Sequence, residues 1–150
     1  MAFEVRQIPV TETHDLRHAV LRTGRPRHTC VFAGDEALGN LHFGLLEGGS
    51  LGPVAIVSLY PRESPLHLGR LAWQGRGMAV VPERQGEGLG SRLVRGVIAL
   101  PQVQVRPLIW CNARISARGF YERLGFTALG EVFEVPKIGP HIVMIIEVGG

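Results

Sequence analysis

Cysteine is nearly absent from this 150-residue chain: there are two, Cys30 and Cys111. Two thiols so far apart give no disulfide framework, and a reduced, intracellular setting is the simpler expectation. The start of the chain, Met1-Ala2-Phe3-Glu4-Val5-Arg6, lacks a basic region followed by an apolar core, so no secretory leader is expected. No apolar run approaches the ~20 residues that cross a bilayer. A cytoplasmic protein with no membrane partner is the expectation. An excess of charge of one sign is lacking as well, with 16 basic residues against 13 acidic ones. No basic stripe interleaves with the few aromatics, so nucleic acid is not an expected partner. Repeats, low-complexity tracts and linkers are missing too. Residues 1–150 therefore read as a single domain, long enough to build a core unaided.

What is present centres on one stretch, Met78 to Ser91. The apolar run Met78-Ala79-Val80-Val81 ends at Pro82, and a polar loop with glycines at 86, 88 and 90 follows. Leu89, Leu93, Val94, Val97 and Ile98 then keep one face of a helix apolar. The order is strand, glycine loop, helix. Glycine accepts positive φ and carries no side chain, so successive N–H groups can turn inward. The helix start adds unpaired N–H groups and the positive end of its dipole. Together these make a cradle for an anion, most naturally a phosphate or pyrophosphate.

Around it the chain reads as a strand at Phe3–Ile8 and a helix starting at Thr11 or Thr13 as N-cap, with Leu16, Ala19 and Val20 inward. His14 and His18, four apart but without a third ligand, read as a solvated face, so no metal is expected. Arg25 to Leu38 is a loop with room for one helical turn. Leu41–Leu46 and Pro53–Tyr60 form a hairpin across Glu47-Gly48-Gly49-Ser50. A long strand, Arg70–Val81, runs into the cradle, with Gly75 and Gly77 marking a bulge or a close backbone approach. The cradle helix ends near Leu100. Pro107–Cys111 is a strand buried on both faces, and Asn112-Ala113 leads into a helix with Ala117, Phe120, Tyr121 and Leu124 on one stripe. Gly125 is its C′ glycine. Strands at Phe126–Val135 and His141–Val148 close the chain. This predicts an α/β fold, a mixed sheet flanked by helices, with the cradle where open sheets place ligands.

The glycine spacing is not G-x-G-x-x-G, and no Lys-Ser or Lys-Thr follows it, which sets aside dinucleotide and Walker loops. A ligand-free tight loop is the bland alternative. Two motifs in order go further. Gln85-x-x-Gly88-x-Gly90 after a strand ending Val81-Pro82 resembles the acetyl-CoA loop of the GNAT superfamily of N-acetyltransferases. Trp110-Cys111-Asn112-Ala113-Arg114 and Gly119-Phe120-Tyr121-Glu122-Arg123-Leu124-Gly125-Phe126 resemble that superfamily's strand, asparagine and helix segment. The direct match covers about a fifth of the chain. It implies a mostly antiparallel twisted sheet of about six to seven strands.

The resemblance implies roles. Met78, Ala79 and Val80 would present backbone groups to the pantetheine arm and thioester, with an N–H there, that of Val80, polarising the acetyl carbonyl. Gln85, Gly86, Glu87, Gly88, Leu89, Gly90 and Ser91 would hold the pyrophosphate. Arg84 would add charge-assisted contacts, or is an ordinary exposed arginine. Asn112 would contact the pantetheine, or cap the next helix. Tyr121 would be the general acid for the CoA thiolate, with core packing as the alternative. Where some relatives carry a basic glutamate, this chain has Gln74. His42, His141, Glu134 or a water relay are the substitutes. Cys111 reads as an inert core thiol. Acetyl-CoA as cosubstrate, a small-molecule amine in preference to a protein, a ternary complex with direct attack, and a homodimer complete the expectation. A non-catalytic acyl-CoA-binding or sensing domain is the alternative.

Overall fold

The structure, a computed structural model, describes residues 2–49 and 51–148. Its strands are β1 (Phe3–Gln7), β2 (Leu41–Glu47), β3 (Ala55–Pro61), β4 (Ala72–Val80), β5 (Leu108–Arg114), β6 (Thr127–Val135) and β7 (Gly139–Glu147). They follow the order β1-β2-β3-β4-β5-β7-β6 in one seven-stranded sheet. Pairing is antiparallel for β1–β2, β2–β3, β5–β7 and β6–β7, and parallel for β4–β5. The mixed, mostly antiparallel sheet expected from the sequence is the one found. The expected hairpin turn includes Ser50, which lies outside the described residues.

The chain divides into two compact units. The first comprises residues 1–60 and 77–97, so it holds β1 to β3, the end of β4 and nearly all of α2 (Leu89–Ile98). Its core includes Ile8, Leu16, Ile56 and Ala79, with Val20, Leu21, Leu46 and Val81 packed against them. Leu89, Leu93, Val94 and Val97 are the buried stripe of α2. This helix lies so close to β1 that a Cβ at Gly96 would stand 2.5 Å from Val5 Cγ2. The Val81 N–H donates to the Val54 carbonyl at 2.8 Å, fixing the exit of β4.

The first helical stretch departs from the expected α-helix. It is a 3-10 turn at Val10–Thr13, a short α1 (His14–Leu16) and a π-helical turn at Arg17–Leu21. Thr13 is the N-cap residue of α1 but makes no side-chain capping bond: its Oγ1 donates to the Val10 carbonyl at 2.6 Å, and the residue is fully buried. The π turn shifts the inward face, so Ala19 is exposed and Arg17 is buried instead. His14 and His18 are half-buried rather than solvated, and His18 Nε2 donates to the Arg25 carbonyl at 2.8 Å.

The second unit comprises residues 61–76 and 98–150. Its core includes Ala72, Leu108, Trp110, Val143 and Ile145, with Leu129 alongside. β4 and β5 pair in parallel over Ala72–Gln74 and Leu108–Trp110. A one-turn helix, α3 (Pro101–Gln104), begins with Pro101 at its first position, where a missing N–H costs nothing. Trp73 Nε1 donates to the Val103 carbonyl at 2.8 Å and anchors that turn. α4 (Arg118–Arg123) ends as expected at Gly125, φ 99. Phe126 N–H to Tyr121 C=O and Gly125 N–H to Glu122 C=O, both 3.0 Å, form a Schellman closure.

Candidate functional site

Gly86 and Gly88 take φ 87 and 79, the left-handed region that the loop expectation called for. A Cβ built on either would meet nothing within 4 Å, so the loop is open on that side. α2 begins directly after it at Leu89, and the Arg92 N–H donates back to the Gly88 carbonyl at 3.1 Å. The N–H groups ahead of Arg92 are those a helix start leaves without helical acceptors. Leu89 and Gly90 are buried while Ser91 is half-buried. Two left-handed residues, an open side and the start of a ten-residue helix suit an anion such as a pyrophosphate.

The flanks of the loop are tied down by its own side chains. Gln85 Nε2 donates to the Val80 carbonyl at 3.2 Å, joining the loop to the end of β4. Arg84 donates from Nη1 to Glu47 Oε1 at 2.5 Å, and from Nε and Nη2 to Glu87 Oε1 at 3.2 and 3.1 Å. Glu47 and Glu87 hold the Arg84 pKa above its ordinary value.

Within β4, Ala79 is buried whereas Met78 and Val80 are half-buried. Gly77, at φ 68, breaks the extended backbone just before them. A Cβ there would lie 3.2 Å from Phe32 Cε2 and 3.4 Å from Arg17 Nε. The close approach suggested by the sequence is thus real.

What approaches Gly77 was not foreseen. Arg17 is fully buried and holds together the Arg25–Leu38 segment and β3. Its Nη1 donates to Asp35 Oδ2 at 2.7 Å and to the Cys30 carbonyl at 2.9 Å. Its Nη2 reaches Asp35 Oδ1 at 3.2 Å, Ser58 Oγ at 3.0 Å and the Tyr60 hydroxyl at 3.2 Å. The Phe32 ring stacks on the guanidinium, 3.9 Å from Cζ to centroid. Arg17 Nε is buried without a partner. Asp35 also accepts from Tyr60 and from the Phe32 N–H. Burial pushes its carboxyl up, but the donors Arg17, Tyr60 and Phe32 more than reverse that, leaving it below the ordinary carboxylate value. The sequence signal was the acidic pair Asp35-Glu36 inside the loop.

His42 belongs to this network and is buried. Nε2 faces the Asp35 carbonyl at 3.1 Å and so carries the proton, and Nδ1 faces Ser58 Oγ at 2.6 Å. Burial, then the Arg17 and His14 charges, hold its pKa below the ordinary imidazole value against the pull of the Asp35 carbonyl. With both nitrogens occupied it is poorly placed to take a proton from a substrate.

The second unit holds Gln74, Asn112 and Tyr121. Gln74 is buried and its Oε1 accepts from Arg62 Nη1 at 3.0 Å. Asn112 is no helix cap: β5 continues through it to Arg114, pairing it with Val143. It is exposed, and strand alternation turns it to the face opposite Cys111. Tyr121 is half-buried on α4, with Phe120 and Phe126 edge-on at 5.0 and 5.2 Å. Its hydroxyl and the Cys111 thiol act on each other electrostatically. Burial first, then Cys111, raises its pKa, so the proton stays on oxygen. Burial pushes the buried Cys111 thiol up to about 12. Among the other base candidates, His141 is buried with Nδ1 donating to the Gly139 carbonyl at 2.9 Å, and Glu134 is exposed on β6.

A family model described as an acetyltransferase (GNAT) domain matches residues 39–128, more than half of the chain. The uncharacterized N-acetyltransferase YitI of Bacillus subtilis (strain 168) is 37% identical over 144 residues, covering 94% of this chain and 93% of its own. Among solved structures, a provisionally assigned N-acetyltransferase from Lactobacillus plantarum superposes with a TM-score of 0.80 at 15% identity, covering 99% of both chains. An aminoglycoside 6'-N-acetyltransferase complexed with coenzyme A gives 0.74 at 14%, covering 98% of both.

Proposed function

The chain belongs to the GNAT acetyltransferase family, and from that premise we propose that it moves an acetyl group from acetyl-CoA to a primary amine. The observation that carries the proposal is the open left-handed turn of Gly86 and Gly88 between β4 and the start of α2. It supplies inward N–H groups and helix-dipole charge where a pyrophosphate needs them. The coenzyme A in the aminoglycoside enzyme, a chain of similar fold, supports the same ligand here. Residues 1–150 then act as one acetyltransferase domain. The family match supports this, because residues 39–128 draw on segments of both units.

Acetyl-CoA, when bound, supplies an acetyl group activated as a thioester. The backbone N–H groups of the Gln85–Ser91 loop would hold its pyrophosphate, and the backbone of half-buried Met78 and Val80 would take the pantetheine arm. The Val80 N–H hydrogen-bonds the acetyl oxygen and stabilises the negative charge that grows there. The acceptor attacks directly as a neutral amine in a ternary complex. Asn112 contacts the pantetheine. Tyr121 is the general acid for the departing thiolate. Its raised pKa keeps the hydroxyl protonated in the resting protein, so the proton is present to be given.

A small-molecule amine is the proposed acceptor class, in line with the aminoglycoside named for that relative. The test is calorimetric titration with acetyl-CoA, CoA and ATP, followed by a mass-spectrometric screen of amines for acetylated product. Micromolar acetyl-CoA binding with ATP much weaker, and product from at least one amine, is expected. No acetyl-CoA binding would overturn the reading.

A further inference from the structure

Glu87 carries the wrong charge for its place. It stands between Gly86 and Gly88, in the loop proposed above to hold a pyrophosphate. A carboxylate within a few Å of that anion opposes binding, and the effect grows as water is displaced. Elsewhere in the loop the groups offered to a ligand are backbone N–H groups and the Ser91 hydroxyl, so Glu87 is the exception.

The structure answers that charge with Arg84. Its Nε and Nη2 both donate to a single oxygen of Glu87, Oε1, at 3.2 and 3.1 Å. Its Nη1 is anchored at 2.5 Å on Glu47, the last residue of β2, whose side chain is only 14% exposed. Three of the five guanidinium N–H donors are therefore given to two carboxylates. Phe3 of β1 lies 5.8 Å from Cζ, further limiting its swing. One arginine held by two glutamates has its Nε–H and one N–H of each Nη engaged by carboxylate, and it places a positive charge where Glu87 needs one.

We propose that Arg84 is a positioning residue and not a phosphate ligand: anchored on β2 by Glu47, it draws the Glu87 carboxylate aside and keeps the loop open to the anion. This rests on the reading that the loop holds acetyl-CoA. It predicts that the need for Arg84 disappears once Glu87 loses its charge. A phosphate ligand would be needed whatever stands at position 87.

A double-mutant cycle separates the two. Acetyl-CoA dissociation constants would be measured by calorimetry at fixed ionic strength for the wild-type chain, Arg84→Met, Glu87→Gln and the double variant. Arg84→Met is expected to weaken binding on the order of tenfold, by exposing the ligand to an unneutralised carboxylate. Glu87→Gln alone should bind as well as wild type or tighter. The double variant should return to within about threefold of Glu87→Gln, a rescue that a merely structural role would not give. A double variant as weak as Arg84→Met, or an Arg84→Met that binds like wild type, overturns the proposal. Should Arg84→Met fail to fold by thermal melting, Arg84→Gln in the same cycle gives the same readout. Failure of the wild-type chain to bind acetyl-CoA would overturn the functional reading itself. An unrescued double variant beside normal wild-type binding overturns only the role given to Arg84.

Discussion

Arg17 shows how much one side chain decides in the first unit. At zero exposure its guanidinium meets Asp35, Ser58, Tyr60 and the Cys30 carbonyl. Desolvating two ions costs several kcal/mol each, so the pair specifies geometry more than it adds stability. Removing one partner is another matter. Arg17→Met should destabilise the protein by about 3–5 kcal/mol in urea unfolding, because it strands the Asp35 carboxylate in the interior. At Tyr121 the expectation separates affinity from rate. Tyr121→Phe should keep acetyl-CoA binding by calorimetry and lower kcat by on the order of 10²–10⁴, the range for loss of a general acid or base. The proton of the amine is a further residue-scale question. His42 has both nitrogens occupied and Gln74 is a neutral amide paired with Arg62. The kcat/KM profile should therefore rise with pH toward the pKa of the acceptor amine, without a protein step near the ordinary histidine value of ~6.5.

At the scale of elements, β4 and the loop behind it were legible because local chemistry wrote them. An apolar run, a proline and alternate glycines need no distant partner to specify strand, turn and helix start. Gly77 belongs to the same class, and Gly77→Ala should cost about 1–3 kcal/mol by thermal or chemical unfolding, since φ 68 is strained for alanine and the Phe32 ring already stands close. What sequence could not reveal depended on contacts far along the chain. The helix at 10–21 has an apolar spacing that fits an ordinary α-helix. Its π turn places Arg17 beneath Asp35, eighteen residues away, and no periodicity encodes that. Asn112 resembled a cap because Asn is a frequent one, yet pairing with Val143 on β7 carries β5 past it. The Arg25–Leu38 stretch reads as no more than a loop with one helical turn for the same reason: with little periodicity of its own, it is organised by Asp35 turning inward toward Arg17.

For the whole molecule, both buried titratable groups of that network act in one direction. The depressed pKa of His42 adds stability above the ordinary histidine value, and this is lost as pH falls from ~6.5 toward its folded pKa. Asp35, also depressed, adds stability above its unfolded value of 3.8 that is lost below it. The melting temperature should therefore decline in two stages on acidification. His42→Gln should remove the first stage, and an unchanged profile in that variant would refute its assignment. The two cysteines have a separate use. Both are buried in the folded chain, and the Cys111 thiol, at about 12, is ionised in only roughly one molecule in ten thousand at pH 8. A disulfide reagent added to the native protein should thus stay colourless. CoA released in turnover can be followed with that reagent against little background from the enzyme. In the absence of substrates, the slow colour that does develop becomes a clock for opening of the fold, with Cys30 marking the first unit and Cys111 the second.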